Sequence, residues 1–124
     1  MSITNKHCED SIMEKLTFQA LQNYLAQKYK EGRTSSGLFM KLVEEIGEVA
    51  EVLNQQEGRK SITSDASLEK ELVDVIHYAV AIASINQIDL TKAIIDKDKQ
   101  VAIKYNQSPN LEEFLVTQNE LKKQ

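Results

Sequence analysis

A single proline, Pro109, and four glycines are the only strong breakers in 124 residues. Runs this long without punctuation favour extended helices and argue against a turn-rich β-sandwich. The apolar spacing agrees. From Thr17 to Glu31, the residues Phe18, Leu21, Tyr24, Leu25 and Tyr29 recur at helical intervals, and Gly32 follows as a stop. After the loop GRTSSG, with Ser35 or Ser36 as a cap, a second helix is predicted over Gly37–Gln56. A polar loop over Gly58–Ala66 leads to Ser67, a good N-cap for a third helix over Leu68–Ile88. A fourth helix is predicted over Thr91–Tyr105. Past Pro109, the pair Asn110 and Glu113 has capping-box spacing and opens a short last helix to about Leu121.

The expected fold is therefore all-α and four-helix-bundle-like, with an extra short C-terminal helix. It reads as one domain over residues 1–124, with 1–15 a loose tail or short helix and 106–124 a C-terminal extension. Apolar residues at 41% and charged residues at 27% fit a globular chain and exclude disorder. A net charge of −4 disfavours nucleic acid as a partner, because phosphate backbones need positive surface. No run reaches the roughly 18–20 apolar residues of a membrane span, so no membrane partner is expected. The first 15 residues contain no apolar signal core. A cytoplasmic location is the expectation. The lone Cys8 has no internal disulfide partner, and nothing near it would make a reactive thiolate.

The carboxylates need more explanation. On a wheel at about 100° per residue, Glu44, Glu48 and Glu51 share the polar side of the second helix. Glu45 falls between Val49 and Val52, at the margin of the apolar arc. The third helix is apolar in almost every direction from Leu72 to Ile85, the pattern of a buried helix, yet Glu71 and Asp74 stand one turn apart at its start. Asp74 is expected deep in the bundle. A carboxylate there must raise its pKa or find a cation. ExxE and ExxD on two adjacent helices can bring four acids together, a costly arrangement that a hard divalent cation with oxygen ligands resolves. Magnesium suits such a set, and manganese accepts the same ligands. Di-iron bundles add Glu-x-x-His pairs; here His77 follows Asp74, and no second such histidine exists.

The run LVEEIGEVAEVL, then LEKELVDVIHYAVAIA after a polar loop, resembles the MazG-like branch of the all-α nucleoside triphosphate pyrophosphohydrolases. The signature EExxE followed by ExxD stands here as Glu44-Glu45-Ile46-Gly47-Glu48 and Glu71-Leu72-Val73-Asp74. The likeness runs from about Ser36 to Tyr105. It implies that Glu45, Glu48, Glu71 and Asp74 bind magnesium. Glu44 would be an outer carboxylate or the group that orients and deprotonates the attacking water. It implies hydrolysis of nucleoside triphosphates, standard, deoxy or modified, between the α and β phosphates to monophosphate and pyrophosphate. It also implies a homodimer or homotetramer. Lys97 matches the family's phosphate-contacting lysine, with Lys99 and Lys104 as further candidates, but Val101 stands where an asparagine is expected.

The competing expectation is a non-enzymatic helical oligomerisation module with a vestigial acidic site. His77 reads as a core or interface histidine, and Phe18, Tyr24 and Phe39 as core. Gly47 reads as a point of close helix packing or as room for a ligand.

Overall fold

The computed structural model describes residues 3–59 and 67–122, so the loop expected over Gly58–Ala66 lies, from residue 60 on, outside the described residues. Six helices follow in order: α1 (Ile3–Glu14), α2 (Phe18–Lys28), α3 (Ser35–Gln56), α4 (Leu68–Ile85), α5 (Leu90–Lys104) and α6 (Leu111–Lys122). No strand occurs among the described residues. Among those residues, no helix is long and apolar enough to cross a membrane. The all-α expectation holds. The segment expected to be loose or shortly helical at the N-terminus is the helix α1.

Side-chain caps set the helix starts. The hydroxyl of Thr17 accepts from the Ala20 N–H at 3.0 Å, and Ser67 accepts from Lys70 at 3.2 Å. α3 is capped by Thr34 rather than Ser35 or Ser36, with Thr34 Oγ1 accepting from the Gly37 N–H at 3.0 Å. Gly37 permits that approach, because a Cβ on it would meet Thr34 Oγ1 at 3.0 Å. The expected capping box forms at α6: Asn110 Oδ1 accepts from the Glu113 N–H at 2.9 Å, and Glu113 Oε1 accepts from the Asn110 N–H at 3.1 Å.

The chain divides into two compact units, Met1–Ile88 and Asp89–Gln124. In the first, α3 and α4 pack side by side and α2 packs on α4. Leu25 of α2, Leu38 and Val52 of α3, and Val80, Ala81 and Ala83 of α4 form its core. Two polar ties fasten α2 to the end of α4. The Ser84 hydroxyl donates to the Gln22 carbonyl at 3.1 Å, and the buried Gln22 amide donates to the Ile88 carbonyl. In the second unit α5 and α6 form a hairpin. The Asp98 carboxylate accepts from the Leu111 N–H at 2.6 Å, and Lys99 pairs with Glu112 at 2.9 Å.

Two expectations about burial are corrected. The N-terminal half of α4 is not buried all round, since Leu72, Val73 and Ile76 are exposed, Val73 at 59%. Phe18, Tyr24 and Phe39 are likewise exposed rather than core, Phe39 at 53%. The physical reason is the same. Periodicity identifies an apolar face, but a single chain this small has too few helices to cover all of them.

Gly47 is a third correction. A Cβ built on it meets nothing within 4 Å, so close packing within the chain does not explain it. Because glycine inside a helix costs about 1 kcal/mol relative to alanine, Gly47→Ala is expected to raise the melting temperature by a few degrees. Thermal melts followed by circular dichroism check this.

Candidate metal centre

The pairing of α3 with α4 places Glu45 opposite the first turns of α4, where Glu71 and Asp74 stand one turn apart. One ligand oxygen from each of Glu45, Glu71 and Asp74 lies within 4.8 Å of the others. Glu71 sits in the first turn of α4, where the positive end of the helix dipole favours an anion. None of the three is fully buried.

Their mutual repulsion is visible in the chemistry of Glu45. Partial burial holds its carboxyl above the usual range, and the charges of Asp74 and Glu71, a side-chain hydrogen bond with Glu71 and the charge of Glu48 push the same way. Among the described residues the ion pairs are Lys41–Glu44, Arg59–Glu57, Lys92–Asp96 and Lys99–Glu112, and none engages these carboxylates. Among the described residues, like charges have thus been gathered without an ion pair to a protein cation. All donors are carboxylate oxygens, the set that a hard divalent ion such as magnesium or manganese prefers over softer metals.

The remaining candidates are placed differently. Glu48 is exposed and outside the close group, although its charge reaches Glu45. Glu44 is also exposed and pairs with Lys41 at 3.3 Å. Lys97, Lys99 and Lys104 belong to the second unit. Lys97 lines a shallow apolar groove there with Leu90, Ile94 and Val101. Lys99 is held by Glu112, and the Lys104 ammonium sits 5.3 Å over the Tyr105 ring.

Sequence reasoning missed one feature of the first unit. The Tyr29 hydroxyl and His77 Nε2 lie 2.6 Å apart, one helical turn beyond Asp74. The His77 ring meets Tyr29 and Tyr78 edge-on, with centroids 5.6 and 4.9 Å away. Desolvation and the charge of Lys28 lower the imidazole pKa, against an opposing pull from Asp74. The only signal in the sequence was the three-residue spacing of His77 from Asp74.

The comparisons with known proteins converge on these helices. Residues 33–107 match the MazG nucleotide pyrophosphohydrolase domain. The fold is similar to the crystal structure of iMazG from Vibrio DAT 722, with a TM-score of 0.55 and 27% identity, over 74% of this chain and 100% of that one. No curated protein matches the chain. Nucleotide pyrophosphohydrolase chemistry is the activity these matches support. With more than half its length matched, including both acidic helices, the chain belongs to the MazG nucleotide pyrophosphohydrolase domain family.

Proposed function

We propose that the chain is a magnesium-dependent nucleoside triphosphate pyrophosphohydrolase, active with manganese as well. It would cut standard, deoxy or modified triphosphates between the α and β phosphates to give monophosphate and pyrophosphate. The observation that carries this reading is the convergence of the Glu45, Glu71 and Asp74 carboxylates with no ion-pair partner among the described residues. These three would hold the metal, with Glu48 completing the set. Such an ion, when bound, supplies positive charge to the phosphate oxygens and acidifies water beside it.

The chain's own groups do the rest. Glu44, one residue before Glu45, is the candidate proton acceptor from the attacking water. Lys97 is the candidate phosphate contact, with Lys99 and Lys104 as further candidates. Lys99 must first leave Glu112, a modest cost for an exposed pair. The exposed apolar side chains on α3 and α4, among them Phe39, Val43, Leu72 and Val73, support assembly as a homodimer or homotetramer. A cytoplasmic location fits a nucleotide substrate.

Metal binding should stabilise the fold. An ion at 100 times its dissociation constant adds about 2.7 kcal/mol. The sign with pH follows from Glu45. Its folded-state pKa is raised, so its contribution to the stability of the metal-free protein is complete below the unfolded value and is lost as pH rises through the folded one. A metal needs the ionised form, so its gain grows over that same rise. The melting temperature is therefore expected to climb with magnesium or manganese, and to climb more at about pH 7.5 than at about pH 5. No shift at either pH, with or without a triphosphate, would point instead to a helical module without catalysis.

A further inference from the structure

The cations of the first unit are unevenly matched. Lys41 and Arg59 are paired with acids; of the cations that form no ion pair among the described residues, Lys15 and Lys70 stand apart in sequence, whereas Lys28, Lys30 and Arg33 stand together. These three fall within six residues, KYKEGR, where Glu31 is the only acid, in a chain whose net charge is −4. Lys28 ends α2, Tyr29 caps it, and Gly32 at φ +76° reverses the backbone before Arg33.

This turn is not left loose. The Tyr29 hydroxyl is bonded to His77 Nε2 across 2.6 Å, and the Arg33 guanidinium lies 5.6 Å from the centroid of the Tyr29 ring. His77 stands three residues after Asp74 on α4, so their side chains are neighbours on one helix face. The chain of contacts therefore runs from Arg33 through Tyr29 and His77 to the turn of α4 that carries Asp74. Lys28 lies close enough for its charge to act on the His77 ring. Positive charge is thus tied through Tyr29 and His77 to the helix that carries Asp74, without an ion pair to the carboxylates among the described residues.

We propose that the Lys28–Arg33 turn is an anion subsite that takes the phosphate chain of a nucleotide whose metal is held by Glu45, Glu71 and Asp74, and that the Tyr29–His77 bond positions it. The inference rests on the metal-dependent reading above. Lys28 and Tyr29 precede the matched family region, which begins at residue 33. An arginine fork and a lysine point charge are the side chains that recognise phosphate oxygens. Tyr29 and His77 act as positioning residues, since the Tyr29 hydroxyl and His77 Nε2 are spent on each other.

The test is calorimetric binding of inorganic tripolyphosphate to the full chain in magnesium. The double variant Lys28→Gln/Arg33→Gln is expected to bind at least about tenfold more weakly. Arg33→Lys should retain more affinity than Arg33→Gln, because it keeps the charge. Tyr29→Phe keeps both cations and loses the bond to His77, and is expected to weaken binding by about threefold. Helical circular dichroism should be unchanged in each. Absence of binding by the unaltered chain, or equal binding by the double variant, would overturn the subsite; equal binding by Tyr29→Phe would overturn the positioning role. Pyrophosphate release from nucleoside triphosphates is measured in parallel. If tripolyphosphate binds through these cations but no pyrophosphate is released, the parent reading has failed and the subsite has not.

Discussion

Asp74→Asn is expected to cut magnesium-dependent pyrophosphate release by about 10²–10³-fold, the scale of losing one charge-stabilising group at a reacting centre. The same substitution is expected to raise the melting temperature of the metal-free protein. The two effects have one cause. Asp74 is one of three acids with ligand oxygens within 4.8 Å, and no cation among the described ion pairs engages it. An amide of the same shape removes a repulsion in the empty site and a ligand in the filled one. A structural carboxylate would show neither the gain in chelator nor the loss of turnover. Glu45→Gln should behave alike, since its raised pKa reports the same crowding. Pyrophosphate release and melts in chelator measure both. Full turnover by Asp74→Asn would remove that residue from the metal set.

Leu25→Ala is expected to cost about 2–5 kcal/mol, the range for deleting a fully buried leucine. Leu25 is 0% exposed and sits one turn before Tyr29 on the helix that packs on α4. Small domains hold only about 5–15 kcal/mol of stability in total, so the loss would take a large share. By contrast Ile103→Ala, at a side chain 82% exposed, should fall within about 0.5 kcal/mol of the unaltered protein. Urea unfolding with an unchanged slope would show a loss of stability without a change in compactness. A small cost at Leu25 would mean that α2 is not anchored as described.

What the sequence revealed was local. Ser67 as a cap and the Asn110–Glu113 box were legible because each is a bond between residues three apart. The acid spacings on α3 and α4 were legible for the same reason. Which α3 carboxylate meets Glu71 and Asp74 was not, because that depends on how two helices rotate against each other. The structure selects Glu45 and leaves Glu48 outside the close group. Gly47 misled because a glycine within a helix suggests a tight contact, and only coordinates show that its surroundings are open. Tyr29 and His77, 48 residues apart, carried no joint signal at all. The exposed face of α4 misled in the opposite direction, since an apolar stripe marks a surface to be covered without saying by what.

The carboxylates of Glu45, Glu71 and Asp74 are proposed to grip a divalent ion. Crystals grown in manganese and measured at a wavelength where that metal scatters anomalously address this directly. The expected map has an anomalous peak among the three side chains, with carboxylate oxygens about 2.1–2.3 Å from it. A map with no peak there, and with the three side chains turned apart into solvent, would contradict the claim.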